Sequence, residues 1–240
     1  MHILPIIIII APTTIKSESI MKVINFAAAN TVINHYVSEL RDVNIQGDRA
    51  RFRFNLERIG EMMAFEVSKT LRYSQKKVLT PLGSAEANTP DNPLVLGTIF
   101  RAGLPFHQGF LRVFDYADNA YVSAYRYYTD KECHNVDIHI EYIASPDLTG
   151  KTLIIADPML ATGGSMELGY NAFLTKGTPE EVHLCCVIAS KKGVDFIKKY
   201  FAGAKNVTLW CAAIDPELNE HSYIVPGLGD AGDLAFGEKL

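Results

Sequence analysis

The sequence predicts an α/β fold, a mostly parallel open sheet flanked by helices, with an N-terminal helical part. Three observations lead to this prediction. Residues 28–42 and then residues 44–71 place apolar side chains at helical spacing. From residue 93 onward, short apolar runs typical of strands buried on both faces alternate with helical stretches. Such alternation gives a parallel sheet covered on both sides, with ligands at the carboxyl ends of its strands.

The two N-terminal helices are predicted from their apolar faces. The face of the first helix carries Val32, Ile33, Tyr36, Val37 and Leu40. The second helix follows a Gly-Asp break, and its face carries Phe54, Ile59, Met62, Met63, Phe65, Val67 and Leu71.

The strands and helices of the sheet follow in order along the chain. The predicted strands are "PLVLGTIF" (93–100), "AYVSAYRYY" (120–128), "HNVDIHIEYIA" (134–144), "TLIIAD" (152–157), "VHLCCVIAS" (182–190) and "NVTLWCAAI" (206–214). Helices are predicted within "AGLPFHQGFLRVF" (102–114), after Ser165, and over "KKGVDFIKKYFA" (191–202). Three loops should therefore share one rim of the sheet: 101–104, 157–165 and the segment after Ile214.

Length and charge limit the classes of protein that fit. The chain has 240 residues, enough for one large α/β domain, which we expect to span residues 21–240. It has 23 Lys plus Arg against 27 Asp plus Glu, a formal net charge of -4. Because nucleic-acid binding usually needs a basic surplus, we expect no nucleic-acid partner. Any anion must be bound by a local site.

Residues 1–20 are interpreted as an extension that is either disordered or wrongly included in the chain. Their apolar run, residues 3–11, is too short to span a bilayer, and it lacks the flanking pattern of a signal peptide. We therefore expect no membrane partner and expect translation to begin at Met21.

The four cysteines, Cys133, Cys185, Cys186 and Cys211, form no CxxC pair and have no zinc-ligand spacing. Two of them lie within a predicted buried strand, so buried thiols are the favoured interpretation. This cysteine usage indicates a reducing cytoplasm.

The stretch "ADPMLATGGS" (156–165) is the first candidate site. A buried strand ends at Asp157, and small residues then open a helix, whose first amides suit a phosphate. The Gly-Lys-Ser/Thr ending of a nucleoside-triphosphate P-loop is missing. From this loop alone, phosphate binding and an ordinary capped turn both remain open.

Together with that loop, "RAGL" (101–104) and "IDPELNEHSYIVPGLGDAGDLAFG" (214–237) resemble the uracil phosphoribosyltransferase family, of the type I phosphoribosyltransferases. The resemblance covers roughly residues 45–240, and the C-terminal stretch is its most specific part. The Asp-Pro pair at 157–158, where other phosphoribosyltransferases have two acids, is typical of the uracil branch. The chain departs from the family's pattern at 105–108 and over 127–142, where many members carry a mobile hairpin, and neither departure removes a central ligand-binding residue.

The resemblance implies a phosphoribosyltransferase-type fold with a C-terminal base-binding segment, and the conversion of uracil and 5-phosphoribosyl diphosphate to UMP and pyrophosphate. It assigns the phosphoribosyl diphosphate to Arg101, Arg126, Asp157, Pro158, Met159, Leu160, Ala161, Thr162, Gly163, Gly164, Ser165 and Asp230. It assigns uracil to Ile224, Gly229, Asp230 and Ala231, and catalysis to Asp157, Asp230 and Arg101. Mg²⁺ is expected mainly on the diphosphate, without firm protein ligands, in a homodimer or higher homo-oligomer.

Some alternatives stay open at this stage. Tyr223 is expected either to stack on the base or simply to pack, whereas His107 and His221 are interpreted as structural or supporting residues. A regulatory RNA-binding protein of the same fold is disfavoured by the charge. A purine-type or orotate-type phosphoribosyltransferase is disfavoured by the segment that begins at Tyr223.

Overall fold

The computed structural model describes residues 21–128 and 136–238, so the prediction for residues 1–20 and the thiol of Cys133 lie outside the described residues. The strands are β1 (Lys22–Asn25), β2 (Tyr73–Thr80), β3 (Gly83–Pro90), β4 (Leu94–Ile99), β5 (Asp118–Tyr128), β6 (Val136–Ala144), β7 (Thr152–Ala156), β8 (Met159–Leu160), β9 (Glu181–Ser190), β10 (Val207–Asp215), β11 (Glu217–Leu218) and β12 (Ile224–Val225). The helices are α1 (Val32–Arg41), α2 (Arg49–Ser68), α3 (Leu104–Val113), α4 (Gly164–Leu174), α5 (Lys191–Tyr200) and α6 (Ala231–Phe236), with a 3-10 turn at Phe26–Ala28. None of the helices in the described ranges is long and apolar enough to cross a membrane.

The central sheet has the strand order β1-β10-β9-β7-β4-β5-β6, and β8 also pairs with β9. Its pairings are parallel except that of β5 with β6. One apolar layer joins the sheet to α1, α2, α3 and α6, and a second layer joins its other face to α4 and α5. The predicted α/β fold is therefore confirmed, and the three predicted loops follow the carboxyl ends of β4, β7 and β10.

Helix α2 is where the predicted apolar face is partly wrong. Phe54 and Phe65 are 52% and 59% exposed, whereas Phe52 and Leu56 are buried against the sheet. The sequence "RARFRFNLE" has an aromatic residue directly before and directly after Arg53, so the helical period alone does not decide which one faces inward. Packing against α1 and α3 decides it.

The departure at residues 105–108 lies within α3 and not in an irregular loop. Pro105 sits in the first helical turn, where its missing N–H costs nothing. His107 is 3% exposed and faces the sheet. Helices α2 and α3 approach closely at Gly60, where an added Cβ would lie 2.5 Å from the carbonyl oxygen of Phe106. This part of the chain therefore serves the packing of α2 and α3.

The short strands β1, β8, β11 and β12, the hairpin of β2 and β3, and helix α6 were not predicted from the sequence. Strand β1 is short and adds to the edge of the sheet beside β10. Strands β2 and β3 pair with each other, in a hairpin separate from the central sheet, and most of their residues are exposed. Exposure on both faces removes the alternation of polar and apolar residues by which a strand is recognised.

Candidate functional site

A cavity of about 790 Å³ lies at the carboxyl ends of β4 and β7, beside the segment that follows β10. Among the residues that line it, those that the sequence predicted for the site are Arg101, Asp157, Met159, Leu160, Ala161, Thr162, Gly163, Ser165, Ile224, Gly229, Asp230 and Ala231. The structure thus brings three separate stretches of sequence to one place.

The loop between β7 and α4 is supported from below by α5. Ser190 Oγ donates a hydrogen bond to the carbonyl oxygen of Ala161. An added Cβ at Gly193 would lie 2.5 Å from that same oxygen, so α5 can pack this closely only with glycine there. Gly163 has φ +90°, a conformation that favours glycine, and its Cα faces the ring of Phe196. These contacts support the loop, and Gly163, Ser165 and Met166 line the cavity at the start of α4. The first amides of a helix lack intrahelical partners, which suits an anion.

Asp157 stands at the end of β7, directly before this loop. The residue is 7% exposed, and its nearest donor is the backbone N–H of Met159, at 3.5 Å from Oδ1. Burial raises the pKa of the Asp157 carboxyl to about 7, against a small lowering by that N–H. The buried carboxyl can therefore accept further hydrogen bonds, and a ligand with hydroxyl groups would donate them.

Arg101 follows β4, and the peptide bond between Phe100 and Arg101 is cis. Its Nη2 donates to Asp233 Oδ1 at 2.9 Å and to the carbonyl oxygen of Gly237 at 2.8 Å. Both acceptors belong to α6 or its C-terminal end, so this guanidinium connects the loop after β4 to the last helix of the chain.

The segment from Ile224 to Ala231 is anchored by buried apolar residues. Ile224, Leu228 and Ala231 are 4%, 3% and 2% exposed. Between the last two, Gly229 has φ +94°, and Asp230 begins α6 by accepting a hydrogen bond from the N–H of Asp233. Ile224, Gly229, Asp230 and Ala231 line the cavity, while Ile224, Leu228 and Ala231 also belong to the buried apolar core.

Not every predicted residue lines the cavity. The carbonyl oxygen of Pro158 accepts from the N–H groups of Val187 and Ile188 of β9, so this residue ties the loop to the sheet. Gly164 is the first residue of α4. Arg126 lies on β5, and the role of its side chain lies outside what the structure describes.

The structure places the two histidines and the tyrosine whose roles the sequence left open. His107 is buried away from the cavity, which confirms a structural position, whereas His221 and Tyr223 line its mouth. The Tyr223 residue is 46% exposed, so it is not a packing residue of the core.

Sequence reasoning missed some lining residues, among them Asp233, Ser123 and Glu141. Asp233 had a signal, since it lies one helical turn after Asp230 in "GDAGD". Ser123 and Glu141 are linked by a hydrogen bond of 3.0 Å between β5 and β6. Their contact depends on a register shift at Ser123, which the sequence does not indicate.

Several carboxylates among the described residues line the cavity, but their arrangement is not that of a protein-held metal site. Within the described residues, no group of three or more His, Cys, Asp or Glu side chains is arranged to hold a metal ion. Asp157, Asp230 and Asp233 nonetheless line the cavity. This donor set fits an ion that arrives with an anionic ligand better than an ion held by the protein alone.

The mostly parallel sheet carries a glycine-rich loop after one strand, a buried carboxyl before that loop and an arginine loop beside it, and its fold is of the phosphoribosyltransferase type. A model of the family described as "Uracil phosphoribosyltransferase" matches residues 27–238. The chain belongs to the uracil phosphoribosyltransferase family.

Individual relatives agree with this family. A protein from Porphyromonas gingivalis named uracil phosphoribosyltransferase is 60% identical over 220 residues, which are 92% of this chain and 100% of that protein. A protein of the same name from Methanothermobacter thermautotrophicus is 37% identical, over 87% of this chain and 93% of its own length. A solved structure of a protein from Aquifex aeolicus has a TM-score of 0.77 and 31% identity, and the match covers 90% of this chain and 98% of that chain.

Proposed function

We propose that this protein is a pyrimidine-salvage enzyme that transfers the phosphoribosyl group of 5-phosphoribosyl diphosphate to uracil, giving UMP and pyrophosphate. The observation that carries the proposal is that the two stretches that resemble the family's base-binding segment and phosphate loop line the same cavity. The bond that forms joins N1 of uracil to the anomeric carbon of the ribose. The bond that breaks joins that carbon to the diphosphate oxygen, and the N1 proton leaves.

The 5-phosphate would bind in the loop from Ala161 to Ser165. Backbone amides at the start of α4 and the hydroxyls of Thr162 and Ser165 offer donors, and the helix dipole favours an anion there. Because the loop is held by α5 before any ligand arrives, little ordering is needed on binding.

The ribose hydroxyls would donate hydrogen bonds to the buried carboxyl of Asp157. These bonds favour its ionised form, so binding should lower a pKa that burial has raised. A carboxylate near the ring also stabilises the positive charge that gathers there as the leaving group departs.

The diphosphate would be bound by Arg101, whose planar guanidinium matches phosphate oxygens, and by Arg126. We propose that Mg²⁺ is held mainly by the diphosphate itself, with Asp230 facing the ion. Bound there, the ion would neutralise charge on the leaving group. Arg101 donates to Asp233 and to the carbonyl oxygen of Gly237, so diphosphate binding would exchange these acceptors for phosphate oxygens.

Uracil would be read by the segment from Ile224 to Ala231, mainly through its backbone. N–H and C=O groups near Gly229 can match the alternating acceptors and donors along the uracil edge. Cytosine would leave buried polar groups unpaired, which is costly. Tyr223 lines the cavity with an exposed ring on which the base would stack.

The proposed setting is the cytoplasm, in a homodimer or higher homo-oligomer. The three described cysteines, Cys185, Cys186 and Cys211, are free and buried, as a reducing compartment allows.

The experiment that tests the function is pyrophosphate release with phosphoribosyl diphosphate, Mg²⁺ and each nucleobase in turn. We expect turnover with uracil and little with cytosine, orotate, hypoxanthine or guanine, and loss of turnover when the metal is chelated. Greater turnover with a purine or with orotate would overturn the uracil assignment.

A further inference from the structure

Behind the base-binding segment, outside the cavity, lies a closed set of hydrogen bonds around Gly227. Arg41 Nη1 and Nη2 donate to the two carboxylate oxygens of Asp215, each at 2.7 Å. The same Nη1 donates to the carbonyl oxygen of Gly227 at 2.9 Å. The N–H of Gly227 donates to Asp215 Oδ2, also at 2.9 Å. One ion pair thus binds both backbone polar groups of a single glycine.

The ion pair of Arg41 and Asp215 can hold the backbone at Gly227 in one position. Arg41 ends α1 and Asp215 ends β10, so each side chain comes from a regular element. Their side chains are 23% and 8% exposed, and Gly227 is buried. In such surroundings a bidentate arginine-carboxylate pair is strong and directional, and removing one partner leaves the other unpaired.

Gly227 is also the point at which the segment changes direction. Its φ of +56° favours glycine, and an added Cβ would collide with the carbonyl oxygen of Ile224. Leu228 follows as a buried anchor, and Gly229 and Asp230 then line the cavity. The orientation of the peptides at 226–228 therefore sets where the peptides that face the ligand lie.

We propose that Arg41 and Asp215 are positioning residues that hold the base-binding segment in its uracil-binding conformation. Neither side chain lines the cavity, so they act through Gly227. The inference rests on the proposed function, in that uracil is the base that the segment reads. It also assigns a role in the site to helix α1, none of whose residues lines the cavity.

The chain offers a matched control on the same helix. Glu39 of α1 is also a buried carboxylate, with its side chain 7% exposed, and it pairs with Arg51 of α2. Asn55 donates a further hydrogen bond to it at 2.8 Å. None of these residues lines the cavity, so Arg51→Ala removes an ion pair from α1 without touching the base-binding segment.

The experiment compares Arg41→Ala, Arg41→Lys, Asp215→Asn and Arg51→Ala in the full chain. Three quantities are measured: the KM for uracil at saturating phosphoribosyl diphosphate, the affinity for phosphoribosyl diphosphate by calorimetry, and the melting temperature. Hydrogen exchange of residues 224–231 is followed in parallel, because it reports on the segment whatever the substrate is.

We expect Arg41→Ala and Asp215→Asn to raise the KM for uracil about tenfold or more, as the loss of charge-assisted hydrogen bonds implies, with phosphoribosyl-diphosphate affinity changed by less than about twofold. Hydrogen exchange should become faster at residues 224–231 in both variants. Arg41→Lys, which keeps the positive charge, should raise the KM for uracil and the exchange rate by less than Arg41→Ala does. Arg51→Ala should lower the melting temperature without changing the KM for uracil.

The proposal is overturned if both ligands weaken equally in step with the melting temperature, or if Arg51→Ala has the same effect on uracil. It is also overturned if exchange at residues 224–231 is unchanged in Arg41→Ala. Should Arg41→Ala fail to fold, Asp215→Asn, which keeps the side-chain shape and one acceptor oxygen, decides by the same measurements. Absence of uracil turnover in the unmodified protein would reject the proposed function, while the exchange data would still decide whether the ion pair holds the segment.

Discussion

At the scale of single residues, Asp157 shows how burial prepares a group for its ligand. The carboxyl is 7% exposed, and its pKa is raised to about 7, mainly by desolvation. The carboxyl therefore gives up its proton less readily than an exposed aspartate does. A ligand whose hydroxyls donate to this group selects its ionised form.

The first prediction follows from that selection. Affinity for phosphoribosyl diphosphate should rise as pH rises from about 6 to about 8 and then level off, with a slope approaching tenfold per pH unit below the pKa. Asp157→Asn should bind more weakly and show a flatter profile. Calorimetry of both proteins over this range makes the comparison, and the variant corrects for protons that the ligand phosphates themselves bind. Identical pH profiles would remove Asp157 from the ribose site.

A second prediction concerns Arg101. Its ion pair with Asp233 is formed by side chains that are 37% and 34% exposed, and pairs of that kind add little to stability. Arg101→Ala should therefore leave the melting temperature nearly unchanged. The KM for phosphoribosyl diphosphate should rise by about tenfold to a hundredfold, as the loss of a charge-assisted contact implies.

Arg72→Ala is the control for that change, because Arg72 also pairs with an aspartate, Asp91, and does not line the cavity. Steady-state kinetics of the two variants are compared at saturating uracil. If Arg101→Ala behaves like Arg72→Ala, the diphosphate role of Arg101 is wrong.

At the scale of elements, the parallel strands could be predicted because burial on both faces leaves a continuous apolar run, such as "TLIIA" in β7. The hairpin of β2 and β3 could not, since its exposed strands carry polar residues on both faces. Helix α2 was predicted as a helix, but its inward face was partly misjudged. Aromatic residues at 52, 54 and 65 satisfy similar spacings, and only the neighbouring helices decide which of them is buried.

The base-binding segment gives a third prediction, on Gly229. Its φ of +94° disfavours a β-branched residue, and the nearest atom to an added Cβ is Leu234 Cδ1 at 3.8 Å. The side chain of Gly229→Val therefore meets little protein, so its effect should come from backbone strain and from space that the base requires. Uracil turnover should fall far more than phosphoribosyl-diphosphate binding.

Gly203 supplies the matched control for strain alone. It has φ +82°, and no atom lies within 4 Å of its added Cβ. Gly203→Val should cost about 1 kcal/mol or more of stability, as other strained residues do, and leave both substrates unaffected. Melting temperature and separate binding of the two ligands are measured for both variants. A loss of both ligands in Gly229→Val that tracks unfolding would reject the base-reading role.

At the scale of the whole molecule, the site could be predicted where its residues are contiguous in sequence. The loop 157–165 and the segment 224–231 each form a local motif. What supports them comes from elsewhere: Gly193 and Ser190 beneath the loop, and Arg41 beneath the segment. These contacts join residues that are 29 to 186 positions apart, so no local pattern in one sequence indicates them.

Two buried groups on opposite ends of the sheet shape how stability depends on pH. His183 near the start of β9 is 1% exposed and accepts a hydrogen bond from the indole N–H of Trp210 at 3.1 Å. Its Nε2 makes no hydrogen bond among the described residues, although Glu181 Oε1 lies 3.4 Å from it, and burial lowers the pKa of His183 to about 4. Asp157, at the other end, has its pKa raised to about 7.

Over the same pH range, these two pKa shifts change the free energy of unfolding with pH in opposite directions. Between about pH 4 and 6.5 the unfolded chain protonates His183 and the folded protein does not, so this residue makes stability rise with pH. Between about pH 4 and 7 the folded protein keeps the Asp157 proton and the unfolded chain loses it, so this residue makes stability fall with pH. In the unmodified protein the two contributions largely offset each other.

The fourth prediction is that replacing either residue alone changes how the free energy of unfolding depends on pH. Between pH 5 and 6.5, Asp157→Asn should make the free energy of unfolding rise more steeply with pH than in the unmodified protein, by about 1.4 kcal/mol per pH unit, the value for one proton. His183→Asn, which keeps an acceptor for the indole N–H of Trp210, should change the slope by a similar amount in the opposite direction. Urea denaturation at several pH values within this window gives the slopes directly, and groups common to all three proteins, such as the buried His107, cancel in the differences. If either variant leaves the slope unchanged, the corresponding group titrates alike in the folded and unfolded chains, and its burial does not control its protonation.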